Sequence, residues 1–190
     1  MNTENDVYVP LSEDRVREIT ELAEKVSGSI HIIRKVRVKQ NRNWEVALIL
    51  AGSNPRTHES TALMSPEVAA QYQPVSEEEI ELDIILFKYP ECGSDLNKVI
   101  AWGSEAGLKG SNPRELFAVI DQSVDLPNSL GKASSVYIAS PIECMHQGKR
   151  CVCCCYWTIK SMGSEDQTYG LGLGRADDYE GPAVWFAFHE

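Results

Sequence analysis

The sequence predicts an α+β fold with a mainly antiparallel sheet of about seven to eight strands and two to three helices. Three observations predict it: a well-marked helix near the N-terminus, a second one in the middle of the chain, and strand-like alternation through the last third. The length of 190 residues suits one domain, and no linker or break in composition divides it. We therefore expect a single domain over residues 1–190.

The first helix is expected between Ser12 and Gly28. Ser12 can cap it, acidic side chains follow in the first turn, and Gly28 suits the residue after its end. The apolar residues form one stripe, which predicts that only one face is buried, and they are Val16, Ile19, Ala23 and Val26.

A strand is expected next, over residues 30–39. Strict alternation places four apolar side chains on one face, and these are Ile30, Ile32, Val36 and Val38. The polar residues 40–43 resemble a hairpin turn, so residues 44–50 are predicted to be the partner strand. Their longer apolar run suggests a more central position in the sheet.

Two further helices are expected at residues 66–72 and 113–122, because a proline stands at the first helical position of each. The second also has Asn112 and Glu115 at capping-box spacing. The remaining strands are expected at residues 80–87, 96–102, 135–139, 150–160, 168–173 and 183–189.

The charge is strongly acidic, with a formal net charge of -10. This balance argues against binding to nucleic acid or to a membrane surface, and it suits docking on a basic partner. The polar N-terminus has no apolar signal segment, and the longest apolar run, residues 46–51, is too short to span a bilayer. We expect a cytoplasmic protein whose cysteines are reduced thiols.

Two of the predicted strands carry charged side chains at every second position, basic on one strand and acidic on the other. The basic set is Lys35, Arg37 and Lys39, and the acidic set is Glu79, Glu81 and Asp83. Pairing of the two sets across neighbouring strands would neutralise both, and this is the interpretation we favour. The alternative is a basic hairpin that contacts phosphate or an acidic partner.

Four of the six cysteines fall within residues 151–155. Strand alternation puts Cys151, Cys153 and Cys155 on one face and Cys154 on the other. Same-face neighbours are roughly 6.6 Å apart along a strand, whereas two thiolates on one zinc ion lie within about 4 Å of each other. The run therefore predicts a central strand that is buried on both faces.

Two chemical alternatives remain open for this region. Cys144, His146 and Cys151 are candidate metal ligands, although their spacing matches no zinc signature. Cys144 and His146 are also candidate catalytic residues of a thiol-dependent enzyme, since Lys149 and Arg150 follow closely and favour a thiolate.

The pentapeptide Gly-Ser-Asn-Pro-Arg occurs twice, at residues 52–56 and 110–114. Turn and cap chemistry explains both copies. The alternative is an anion site at a helix start, in a small-molecule or anion sensor whose pocket lies between helix 113–122 and the sheet. Its candidate residues are Ser53, Asn54, Arg56, Ser111, Asn112 and Arg114.

The sequence as a whole favours a small acidic protein that binds a protein partner without catalysis, of the inhibitor, immunity or antagonist type. No catalytic constellation and no cofactor motif is found in it, and no cofactor is predicted. A thiol- or metal-dependent enzyme and a small-molecule or anion sensor are the alternatives. The oligomeric state is left open.

Overall fold

The computed structural model describes residues 8–52, 58–73, 79–90, 95–123, 126–130, 135–159, 167–176 and 184–190. Its helices are α1 (Glu13–Lys25), α2 (Trp44–Leu50), α3 (His58–Leu63), α4 (Pro66–Gln71), α5 (Leu96–Glu105), α6 (Pro113–Gln122) and α7 (Leu126–Ser129). Its strands are β1 (Ser29–Lys39), β2 (Glu79–Lys88), β3 (Lys109–Gly110), β4 (Ser135–His146), β5 (Lys149–Ile159), β6 (Gln167–Arg175) and β7 (Val184–His189).

The seven strands form one sheet in the order β1-β2-β7-β4-β5-β6, and the short β3 pairs with β7. The pairing of β4 with β7 is parallel, and the other pairings are antiparallel. The α+β class and the mainly antiparallel sheet are therefore confirmed. The described part of the chain has more helices than the two to three predicted.

Two predicted strands are wrong, because residues 44–50 and 96–102 lie in helices α2 and α5. Short apolar runs fit a buried strand and a buried helix equally well, so capping decides between them. The Asn43 side chain accepts a hydrogen bond from the backbone N–H of Val46, and Asp95 does the same for Asn97. The predicted hairpin turn is thus a helix start, and β1 pairs with β2 instead.

Strand β1 contains a bulge, where the register shifts between Ile33 and Val36 and Lys35 has a φ of 54°. The prediction of one shared apolar face is wrong for this reason. Ile32, before the bulge, packs on one side of the sheet, while Val36 and Val38 are buried on the other.

Helices cover both faces of the sheet and create two apolar cores. One face packs against α1 and α5, which we call the α1/α5 core. The opposite face packs against α2, α3, α4, α6 and α7, which we call the α4/α6 core after the two helices nearest the cysteines. None of the described helices is both long and apolar enough to cross a membrane.

Residues 151–155 of strand β5 are buried on both faces, as the cysteine run predicts. The position of this strand in the sheet is not central, because it lies second from the edge, between β4 and the edge strand β6. The two innermost strands of this order are β7 and β4, and β7 lies between β2 and β4.

Candidate functional site

The tight hairpin between β4 and β5 positions the cysteines. Gln147 and Gly148 form its two-residue turn with φ angles of 50° and 73°, the left-handed geometry that such turns require. The resulting register places Cys144 directly opposite Cys151. Both side chains lie in the α4/α6 core, with exposed fractions of 3% and 6%.

The cysteines divide between the two faces as alternation predicts. Cys151, Cys153 and Cys155 lie in the α4/α6 core, and Cys154 lies in the α1/α5 core. The five cysteines within the described residues are thiols and are not joined in disulfides.

Helix α4 is fastened to the outer edge of β4 by side chain to backbone hydrogen bonds. The Gln71 amide accepts from the N–H of Met145 and donates to its carbonyl, both at 2.7 Å. The Tyr72 hydroxyl donates to the carbonyl of Ile142 at 3.2 Å. These contacts bring the Tyr72 hydroxyl beside Cys144.

The Cys144 thiol is set apart by its pKa, which is lowered to about 7. The hydrogen bond from the Cys153 thiol has the largest effect, burial opposes it, and the Tyr72 hydroxyl lowers the pKa further. Burial in turn raises the pKa of Cys153 and of Tyr72, so both remain protonated donors. The lowered pKa favours the thiolate form of Cys144 relative to an ordinary cysteine.

His146 faces a carboxylate of α4. Its Nδ1 lies 3.3 Å from Oε2 of Glu67, in a contact without hydrogen-bond geometry, and its side chain is 18% exposed. Within the described residues, no group of three or more His, Cys, Asp or Glu side chains is arranged to hold a metal ion. The structure thus brings Cys144 to Cys151, while His146 faces Glu67.

The second copy of the repeated pentapeptide forms the start of α6. Asn112 and Glu115 make the predicted capping box, with the N–H of Asn112 donating to the Glu115 carboxylate at 2.9 Å. Ser111 is fully buried beside them. The helix start is therefore occupied by a carboxylate of the chain itself. The candidates of the first copy, Ser53, Asn54 and Arg56, lie outside the described residues.

Arg114 is buried and joins three helices. Its guanidinium donates to the carbonyl of Tyr72 at 3.2 Å and to that of Arg42, and it lies 5.4 Å from the ring centre of Trp44. This cation holds α6 against the end of α4 and the start of α2.

A groove of about 290 Å³ runs beside β1 and the end of α6, and it is lined by Lys35, Arg37, Lys39, Arg42, Glu81, Asp121 and Gln122. Arg37 lies 3.0 Å from Glu81, and Lys39 lies 3.2 Å from Glu79. Arg42 lies 3.7 Å from Asp121 on α6. The predicted cross-strand pairing is confirmed for Glu79 and Glu81, whereas Asp83 pairs with Arg34. The pairing neutralises much of the basic charge that an anion would need.

The outer face of α2 is apolar. The prediction of a strand for residues 44–50 gave no indication of this feature. Val46, Ile49 and Leu50 are exposed by 46%, 51% and 47% and lie at helical spacing on one side, which we call the α2 stripe. The outer face of a helix in a soluble protein is ordinarily polar.

Trp44 fixes the orientation of α2. Its indole N–H donates to the carbonyl of Leu63 at 2.8 Å, and its ring stacks on Tyr72 and meets Phe117, each with ring centres 5.4 Å apart. With Trp44 and Leu48 buried on the inner side, the helix cannot turn its stripe inward without losing these contacts.

Comparison with known proteins identifies no relative. No protein family matches this chain, and no curated protein or solved structure is similar to it. Its function is therefore inferred from its own residues and their contacts.

Proposed function

We propose that this protein acts by binding a protein partner through the α2 stripe, without catalysis. The observation that supports the proposal is the apolar outer face of α2, held in place by Trp44. Contiguous exposed apolar side chains are a feature of protein interaction sites. An inhibitor, an immunity protein or an antagonist works by such binding.

The α2 stripe is too small to form a complete protein interface by itself. Three side chains that each expose about half of their surface supply much less than the roughly 800 Å² per partner of a standard interface. They suit the apolar centre of a larger contact, where a few residues contribute most of the affinity.

Net charge indicates the chemistry of the partner. A second copy of this chain would carry the same net charge of -10 and would be repelled. The cations of the groove beside β1 already face carboxylates, so they leave little attraction for an acidic partner. The proposed partner is therefore a different protein, with positive charge around an apolar patch.

Site-specific photo-crosslinking in the native lysate tests this proposal. A photoreactive residue at position 49, within the stripe, should yield a discrete adduct with a basic protein. The matched control is position 100 on α5, where Ile100 is 39% exposed outside the stripe. Equal capture at both positions, no adduct at position 49, or an adduct with a second copy of the chain would each contradict the proposal.

Variants of the stripe test its contribution to affinity. The triple change Val46→Ser, Ile49→Ser and Leu50→Ser should weaken binding of the captured partner about 100-fold or more, because it removes the apolar centre of the interface. Its free energy of unfolding should fall by about 1–2 kcal/mol, since each side chain is half-buried and serine is a weaker helix former than leucine. The association rate of the unmodified chain should fall as salt is added. Unchanged affinity in the folded variant would contradict the role of the stripe.

A thiol-dependent enzyme is the second candidate, and the pKa of about 7 at Cys144 is the observation that favours it. An enzyme of this kind must let a substrate-sized electrophile reach that thiol. Rapid alkylation of Cys144 by iodoacetamide at pH 7 in the folded protein would support it. Alkylation only after denaturation would exclude it.

A further inference from the structure

The register of the β4–β5 hairpin decides which cysteines face each other closely. In a two-residue hairpin the pair that flanks the turn, here His146 and Lys149, exchanges hydrogen bonds, and such pairs then alternate with non-hydrogen-bonded ones. Met145 is accordingly in a non-hydrogen-bonded pair, which agrees with its N–H and carbonyl both bonding outward to Gln71. Cys144 and Cys151 are therefore a hydrogen-bonded pair.

Distance then separates the two potential partners of Cys144. Hydrogen-bonded antiparallel pairs have Cα atoms about 5.5 Å apart, inside the range of about 4.4–6.8 Å that disulfides span. Cys153 is the diagonal neighbour and lies opposite the register shift between Ala139 and Glu143. In a regular sheet, diagonal pairs are about 7–8 Å apart, which a disulfide bridges only if the backbone moves. Cys151 is thus the residue that can join Cys144.

The surroundings of Cys144 suit it as the thiol that reacts first. The Cys153 thiol donates toward its sulfur, and the Tyr72 hydroxyl, which donates to the carbonyl of Ile142, lies beside it. These groups favour the thiolate, the carboxylates of Glu67 and Glu143 oppose it, and thiolate rather than thiol is the nucleophile. The pair lies one residue pair away from the exposed end of the hairpin, where Met145, Lys149 and Arg150 face solvent. Such a position suits a small neutral oxidant.

We propose that Cys144 and Cys151 form a reversible dithiol–disulfide pair that hydrogen peroxide oxidises. The proposal does not depend on what the α2 stripe binds.

The reaction balances in two steps. The Cys144 thiolate attacks one oxygen of the peroxide, the O–O bond breaks, and the sulfenic acid forms while the other oxygen leaves as water after taking a proton. The Cys151 thiol then attacks the sulfenic sulfur, its proton and the hydroxyl leave as a second water, and the S–S bond forms. The two thiols lose two electrons in total, the peroxide gains them, and a dithiol reductant reverses the change.

Peptide mapping of the native protein tests the pair. Lys149 and Arg150 lie between the two cysteines, so trypsin separates peptides 133–149 and 151–160 unless a disulfide joins them. After peroxide treatment and alkylation of the remaining thiols, we expect the joined peptides, which should separate on treatment with dithiothreitol. Fragmentation of the joined peptides identifies the bridged cysteine directly, without any variant.

Three single variants test which cysteine forms the disulfide with Cys144. Cys151→Ala should abolish the joined peptides. Cys153→Ala should keep them, but with slower oxidation at pH 7 and with the midpoint of its pH dependence moved upward, because a donor to the thiolate is lost. Cys154→Ala, which alters the opposite face of β5, is the matched control and should leave both yield and rate unchanged.

Three results would overturn the proposal. One is the absence of joined peptides in the oxidised native protein, and another is their formation only after unfolding. The third is a bridge from Cys144 to Cys153 in the fragment spectra. Thermal unfolding of each variant identifies any that does not fold, and the fragment spectra of the unmodified chain decide the assignment in that case.

Discussion

The carboxylate of Asp83 accepts hydrogen bonds from two separate parts of the chain. The Tyr8 hydroxyl and the N–H of Leu11 donate at 2.5 Å and 3.0 Å, and the N–H of Lys35 in the β1 bulge donates at 2.9 Å. Arg34 adds an ion pair at 2.5 Å, and the Asp83 side chain is only 3% exposed. One buried side chain therefore holds the segment before α1 and the bulge of β1 to strand β2.

The pKa of Asp83 reflects two opposing effects. Burial raises it, while hydrogen bonds from Tyr8, Lys35, Leu11 and Arg34 lower it, and the net pKa lies below the ordinary value. A lowered carboxyl pKa stabilises the folded state at any pH above the ordinary Asp pKa of about 3.9. That stabilisation is lost as the pH falls from there through the pKa of the folded state.

The change Asp83→Asn should lower the free energy of unfolding at pH 7 by about 2–4 kcal/mol, because an amide cannot replace a carboxylate that accepts from four donors. The difference from the unmodified chain should shrink below about pH 4. Urea denaturation across this pH range measures both effects. Glu81→Gln, on the same strand but at a more exposed ion pair, should change stability by less than about 1 kcal/mol. Equal stability of the Asp83→Asn chain at pH 7, or a difference independent of pH, would refute this account.

At the scale of elements, two glutamines complete strand edges. Gln122 of α6 accepts from the N–H of Arg37 at 3.0 Å and donates to its carbonyl at 2.7 Å. Gln71 of α4 likewise accepts from the N–H of Met145 on β4 and donates to its carbonyl. Each side-chain amide makes the two hydrogen bonds that a neighbouring strand would make at that position. It thereby protects a strand edge that could otherwise pair with another chain.

The change Gln122→Ala should expose the backbone of Arg37 without unfolding the protein. Losing one hydrogen bond of about 1 kcal/mol corresponds to exchange of the Arg37 amide hydrogen that is about 5-fold faster, as native-state hydrogen exchange would measure. Gln73→Ala is a suitable control, because Gln73 bonds to the carbonyl of Ala69 rather than to a strand. If the Arg37 amide exchanges equally fast in all three chains, Gln122 does not protect this edge.

At the scale of the whole molecule, helix α5 approaches β7, an interior strand of the sheet, very closely. A Cβ atom at Gly103 would lie 2.3 Å from a ring carbon of Phe188 on β7. Trp102, the residue before it, stacks on Phe87 with ring centres 3.6 Å apart and meets Phe188 edge-on at 5.6 Å. The α1/α5 core is therefore packed too tightly at this point to admit a methyl group.

The change Gly103→Ala should destabilise the protein by about 3 kcal/mol through overpacking, measured by urea denaturation. Adding Phe188→Leu should recover part of the loss, since it makes room for the methyl group. Gly148→Ala is the matched control: its Cβ meets no atom within 4 Å, but its φ of 73° alone costs about 1 kcal/mol. A Gly103→Ala chain as stable as the unmodified one would show that α5 can shift away from β7.

Local signals predicted several features of this molecule correctly. The capping residues of α1 and α6, the proline at the start of α4, the two faces of β5 and the pairing of Lys39 with Glu79 all follow from residues close in sequence or from strict alternation. They could be predicted because side-chain spacing and caps act within one or two turns of the chain.

Other features required partners that are distant in the sequence. Residues 44–50 and 96–102 are apolar enough for a strand or a helix. The caps Asn43 and Asp95 start the helices, and distant contacts, of α2 with α6 and of Gly103 with Phe188, hold them in place. The bulge of β1 depends on Asp83, which lies 48 residues after Lys35, so alternation alone assigned Ile32 and Val36 to the same face.

The sequence by itself determined the fold class, the capped helices and the burial of the cysteine strand, because these depend on local spacing and composition. Only the tertiary structure decided which groups meet: Cys144 with Cys151 and Tyr72, Arg114 with backbone carbonyls, and the apolar side of α2 with solvent. Contacts of this kind depend on the register and on the packing of elements far apart in the chain, and no local pattern encodes them.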